Sequence, residues 1–288
     1  MSNKVEKIWL ISLPFAMLSL LIIGTFLDFE ISQSIFRQNN FFSSLFDIIG
    51  KMPIFLIGAV AVLFLLKSAL VKHNYDTFMK NCYYTVLYLS GIVLSCMAFV
   101  DLSSAILFND KVCSIVLCGV LGLVFFNTIF LMSYKIDPYK FNNYSKWAQY
   151  TLVTILLMVA SIIVIKSFCN RLGYSEMVMG KGEFSSWYSK LNICLSEHVI
   201  LACGLFLIVP LGKYNKKIKE NLIWIRLIAC VYVIMTMLAR ISGGNQFVSD
   251  IAISLMLVYV IINSTNFMFW GIKGEKIALG NQSIKNYI

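Results

Sequence analysis

Arg240 and Asp250 stand ten residues apart in the stretch ARISGGNQFVSDI, with Gln246 between them. Other polar residues share their setting. Lys166 and Arg171 close the fifth long apolar run, Ser196 and His198 open the sixth, and Arg240 and Asp250 flank the break between the seventh and eighth. Basic side chains at helix ends, a serine hydroxyl and helix N-terminal amides form a set suited to an oxyanion such as phosphate. The competing reading for Lys166 and Arg240 is that they snorkel to lipid headgroups. Asp250 fits that reading badly, because an unpaired carboxylate a few residues into an apolar helix is costly.

The elements that must hold these residues are membrane helices. Hydrophobic residues make up 59% of the chain and charged residues 13%, with a mean hydropathy of +0.80. A soluble domain carries roughly twice that charged fraction. The apolar runs are long and unbroken, which excludes a transmembrane β-barrel. Eight spans are expected, at Ile8–Phe26, Pro53–Val71, Cys82–Phe108, Val112–Met132, Trp147–Ser167, His198–Leu211, Leu222–Ala239 and Phe247–Trp270. The sixth is short for the ~20 residues a crossing needs. Residues 39–50, containing FFSSLFDIIG, read as an amphipathic helix lying on the outer leaflet.

The fold class expected is all-α: one polytopic membrane bundle over residues 1–288, with no separate soluble domain. Fifteen of the 24 Lys and Arg fall in segments sharing a side with the N-terminus, and eight fall opposite. This bias puts both termini in the cytoplasm and the Lys166–Asp250 set at the outer face of the cell membrane. The net charge of +10 therefore reads as topology, and no nucleic-acid partner is expected. The eight cysteines show no metal-binding spacing, so no metal and no cofactor is expected. Cys169 and Cys194 flank one loop and would pair if it faces an oxidising compartment.

The spacing and order of these residues resemble the type 2 phosphatidic acid phosphatase superfamily, which includes the vanadium haloperoxidases. Its first signature is a lysine followed after six residues by Arg-Pro; here it reads KSFCNRLGY, with Lys166 matching and Gly173 and Tyr174 in the Arg-Pro positions. Arg171 sits where many members carry an additional arginine. The second, Pro-Ser-Gly-His, reads LSEH: Ser196 and His198 match, while Leu195 and Glu197 replace proline and glycine. The third, Ser-Arg, five residues, His, three residues, Asp, reads ARISGGNQFVSD. Arg240 and Asp250 match, and Gln246 occupies the histidine position.

The resemblance spans residues 147–270, with residues 8–71 as the first two core helices and 82–132 as an additional hairpin around a six-helix core. It implies that Lys166, Arg171, Ser196 and Arg240 bind phosphate, that His198 protonates the leaving group, and that Asp250 orients the residue at 246. Gln246 cannot attack phosphorus, because its amide nitrogen has no available lone pair. Glu197 adds a negative charge beside the pocket or neutralises one of its cations. Gly173, Leu195 and Glu197 depart together with Gln246, which favours a natural degenerate member over a single trapping substitution. The leading expectation is therefore a member with lost or weakened hydrolase activity that binds lipid phosphate or pyrophosphate headgroups, its partners being membrane lipids. The alternatives are an active lipid-phosphate hydrolase with a rearranged site, and an unrelated transporter or scaffold.

Overall fold

The computed structural model describes residues 3–38, 40–71, 77–107, 111–168, 171–188 and 194–271. All regular elements among them are helical: α1 (Asn3–Ile35), α2 (Phe41–Ile49), α3 (Met52–Val71), α4 (Thr77–Ile106), α5 (Lys111–Ser133), α6 (Pro138–Asn142), α7 (Ser145–Lys166), α8 (Tyr174–Val178), α9 (Glu197–Ala202), a 3-10 segment (Cys203–Lys213), α10 (Lys216–Glu220), α11 (Leu222–Ser242) and α12 (Val248–Trp270). Among the described residues, seven stretches are long and apolar enough to cross a membrane: Ser12–Ile35, Phe41–Ala69, Thr77–Ile106, Lys111–Ser133, Ser145–Lys166, Leu222–Ser242 and Val248–Trp270.

α3 is the central helix, packed by α4, α6, α7, α9 and the 3-10 segment. Its buried residues Ile54, Ala59, Val62 and Leu66 join Trp147, Ile200 and Leu207 in one core. α1 pairs with α12, and the approach is close enough that a Cβ on Gly24 would fall 2.5 Å from the Ser249 backbone nitrogen. Only glycine permits it. α4 and α5 form a hairpin pressed together in the same way, with Gly122 against the Cys96 backbone. Close backbone approach through small residues is how helices gain contact where lipid removes the hydrophobic drive.

α7 runs antiparallel to α12. The rings of Tyr150 and Trp270 are 4.7 Å apart, and Thr154 donates to Thr265 at 3.1 Å. That register sets the end of α7 beside the start of α12, which brings Lys166 to the same end of the bundle as Asp250.

The sixth apolar run takes an unexpected form. It begins as α9 and then tightens into eleven residues of 3-10 helix, a length rarely seen for that geometry. Pro210 lies inside it; its ring would clash with a carbonyl in an α-helix, and it has no N–H to donate. In a 3-10 ladder that missing donor would serve the carbonyl of Leu207. The Trp147 indole N–H supplies it instead, at 2.7 Å. At ~2.0 Å per residue against ~1.5 Å in α-helix, α9 and this segment together extend about 31 Å.

The helix expected over residues 39–50 forms at Phe41–Ile49, with residue 39 outside the described set. Asn40 donates to Ser242 at 3.0 Å, Gly243 faces Ser43, Asp47 pairs with Arg240, and the Tyr232 hydroxyl donates to the Ile49 carbonyl at 2.5 Å. These contacts descend about three turns of α11, so α2 runs lengthwise along it. The Phe46 ring packs on Tyr232, so α11 takes the side carrying Ser43, Phe46 and Asp47, while Phe41 and Leu45 on the apolar side stay exposed.

Candidate functional site

Lys166 ends α7, Ser196 precedes α9, Glu197 and His198 begin it, Arg240 lies in the last turn of α11, and Asp250 in the first turn of α12. Gln246 occupies the turn between the last two. All these residues gather at one end of the bundle, where they divide between two ion-pair clusters.

The first cluster is partly open to solvent. Glu197 bridges two lysines, with Oε1 2.8 Å from Lys51 Nζ and Oε2 2.5 Å from Lys166 Nζ. Lys51 also reaches Asp101 at 3.4 Å, tying α4 to the cluster. Arg240 is bonded through Nη1 to Asp47. His198 is buried, with Nδ1 3.9 Å from Glu197 Oε1. Every cation here faces a carboxylate from the same chain.

The second cluster is closed. Arg171 has a side chain only 1% exposed. Its Nη2 donates to Asp28 at 2.9 Å, its Nη1 to Asp250 at 2.8 Å and to the Ser249 hydroxyl at 2.9 Å, and its Nε to the Ser185 carbonyl at 2.9 Å. The guanidinium also lies over the Phe247 ring, 4.2 Å from its centroid. Asp28 accepts from the Ser249 backbone N–H at 2.9 Å and from its hydroxyl. Asp250 accepts the Phe247 N–H at 3.2 Å through its other oxygen. Four of the five Arg171 N–H groups are taken within the chain, and Asp250 is engaged with Arg171 rather than with Gln246.

Gly173 explains itself through space. A Cβ there would come within 2.7 Å of the Gly244 carbonyl oxygen and 3.1 Å of that of Asn245. Gly244 has φ +67, and its carbonyl accepts the Ser175 N–H at 3.0 Å. The backbone has closed over the place where the resemblance would put an arginine, and no side chain fits.

Among the described residues, seven buried side-chain polar atoms have no hydrogen-bond partner. Four belong to this end of the bundle: Ser196 Oγ, His198 Nδ1, Arg240 Nε and Gln246 Oε1. Buried polar atoms are nearly always satisfied, so their concentration at the motif positions marks this region as polar and under-bonded.

Burial alone would raise the Glu197 carboxyl, but hydrogen bonds and charge from Lys166 and Lys51 outweigh it and hold it at about 2. A carboxylate with a depressed native pKa contributes stability above its ordinary value near 4.5, and that contribution disappears as pH falls toward 2. The native chain should therefore unfold at a higher temperature than Glu197→Gln near neutrality. The gap should shrink through that acid window when both are followed by thermal unfolding in detergent.

Four charged participants carry no motif: Asp28, Asp47, Lys51 and Asp101. Their signal in the sequence is a charge inside or beside an apolar run, with Asp47 and Lys51 four residues apart. Cys169, the possible partner of Cys194, and His73, the other histidine, lie outside the described residues.

No protein-family model, curated protein or solved structure matches the chain. The fold defines its class: a multi-pass helical integral membrane protein.

Proposed function

We propose that this is a degenerate relative of the type 2 phosphatidic acid phosphatases whose phosphate pocket has become a self-neutralised ion-pair lattice, and that it does not hydrolyse phosphate esters. The observation that carries this reading is Glu197 bonded at once to Lys51 and Lys166. A phosphate oxygen would have to displace that carboxylate. Arg240 and Arg171 are likewise held by Asp47, Asp28 and Asp250. Gln246 offers no nucleophile, and Asp250 is not placed to orient one.

In this reading the six-helix core is α1, α3, α7, the α9 and 3-10 unit, α11 and α12, with α4 and α5 as the additional hairpin. The 3-10 winding supports an eighth crossing, since it lengthens the stretch from His198 to Lys213 to about 30 Å, the thickness of the hydrocarbon core. Both termini then lie on the lysine-rich cytoplasmic side, with the cluster at the outer face.

Binding without turnover is favoured by the four unpartnered atoms. Gln246 Oε1 and neutral His198 Nδ1 accept, Arg240 Nε donates, and the Ser196 hydroxyl does either. That inventory suits a hydroxyl-bearing headgroup at least as well as a phosphate.

The test is phosphate release by the purified protein from phosphatidate, phosphatidylglycerol phosphate and an isoprenyl pyrophosphate. The native chain should give no more than His198→Ala, and Gln246→His alone should stay silent because its cations remain occupied. Release that depends on His198 in the native chain would overturn the proposal.

A further inference from the structure

The opposite end of the bundle holds a cation that the lattice does not use. Lys67, in the last turns of α3, is 2% exposed. Among the described residues no carboxylate pairs with it. Its ammonium lies over two rings, 3.3 Å from the Tyr134 centroid and 4.6 Å from that of Phe130. A lysine that merely snorkelled would carry its ammonium out to water. This one is turned inward and roofed by Tyr134, itself 64% exposed at the end of α5.

Beside that roof lies a fissure of about 380 Å³ between α4 and α5, floored by Leu66 and walled by Tyr84, Tyr88, Leu89, Phe130 and Tyr134. It opens on the flank of the bundle, where Leu89 is exposed. The Tyr84 hydroxyl is buried without a partner. Lys80 lies one turn before Tyr84 on α4 and Lys135 follows Tyr134, and among the described residues neither is ion-paired.

We propose that this fissure is a binding site for an anionic glycerophospholipid, with an acyl chain lying along the aromatic wall and the phosphodiester on Lys67 and Tyr84. The Tyr134 side chain swings aside to admit it. Three observations select this occupant. An ammonium held only by ring faces in a bilayer span, with no carboxylate beside it among the described residues, calls for an anion. The fissure is apolar and opens toward lipid, so its occupant carries a hydrocarbon chain. Lys80 and Lys135 concentrate anionic rather than zwitterionic lipids. The inference rests on the membrane assignment alone and is independent of the phosphatase reading.

The experiment is native mass spectrometry of the full chain, delipidated in detergent and titrated with phosphatidylglycerol, phosphatidylcholine of the same acyl composition, or glycerol 1-phosphate. Phosphatidylglycerol should bind about tenfold more tightly than phosphatidylcholine, the equivalent of one well-placed charge contact. Glycerol 1-phosphate should not bind detectably, for want of a chain. Lys67→Met, which keeps the shape and drops the charge, should weaken phosphatidylglycerol about tenfold and phosphatidylcholine with it, because both carry the phosphodiester. Leu89→Trp, on the exposed wall, should weaken both lipids by filling the fissure. Equal affinity for the two lipids in the native chain would overturn the site, as would full phosphatidylglycerol binding in Lys67→Met or chain-free binding of glycerol 1-phosphate. If Lys67→Met fails to fold, Leu89→Trp decides: unchanged phosphatidylglycerol affinity there rejects the fissure.

Discussion

Arg171→Met should lower the stability of the folded chain by about 3–5 kcal/mol, the usual cost of removing one partner from a buried ion pair. The loss comes less from the missing bonds than from what they leave behind. Asp28 and Asp250 are 3% and 2% exposed, and without the guanidinium two carboxylates would face each other with no cation. Arg171→Lys should recover little. A single ammonium cannot reach Asp28, Asp250, Ser249 and the Ser185 carbonyl from one planar fork, nor lie flat on the Phe247 ring. Adding Asp250→Asn to Arg171→Met should recover part of the loss, since it removes one of the stranded charges and leaves the volume unchanged. The measurement is the unfolding temperature in detergent of these proteins and of Asp250→Asn alone, with the native chain, Arg171→Met, Asp250→Asn and their combination read as a double-mutant cycle. If Arg171→Lys were as stable as the native chain, the cluster would be a simple charge pair and not a shaped junction between α1, α12 and the loop after α7.

That junction shows where reading the sequence reaches its limit. Lys166 and Glu197 were visible as a possible pair because both sit beside recognisable motif positions. Arg171 and Asp28 are 143 residues apart, and nothing in either neighbourhood points to the other. One charge at the edge of an apolar run looks like any snorkelling residue until its partner helix is known. At Phe41–Ile49 the apolar stripe was legible, and Phe41 and Leu45 remain on the outside of the bundle. What the stripe did not show is that the opposite side, through Ser43 and Asp47, docks on α11. The sixth run was counted in residues, as if every residue rose by the same amount. Pro210 was in plain view, but its consequence depended on Trp147 reaching the Leu207 carbonyl from another helix. At Gly173 the missing arginine was legible, and the closed backbone over it was not.

The lattice reading makes a further demand, on Glu197. Replacing it with glutamine keeps the side-chain volume and one acceptor but removes the charge shared by Lys51 and Lys166. Those ammoniums would then stand close together with no carboxylate between them. Lys166 is 46% exposed and can turn to solvent, so the fold should survive. Lys51 is 21% exposed and keeps only the longer contact to Asp101, so it should seek another anion. Inorganic phosphate should therefore bind Glu197→Gln on the order of ten- to a hundredfold more tightly than the native chain, since a hydrogen bond to a charged group contributes roughly 1.5–3 kcal/mol and each 1.4 kcal/mol is tenfold. The gain should fall as salt rises, because the site is only partly buried. Phosphorus NMR line broadening at low ionic strength, with native and variant protein in the same detergent, reads it directly. Tighter binding in the variant with no phosphate-ester hydrolysis would mean that Glu197 occupies the anion's place and that Gln246 and Asp250 separately withhold the chemistry. Equal, weak binding in both would mean that the lysines never formed a phosphate pocket, and the resemblance at Lys166 would be coincidence.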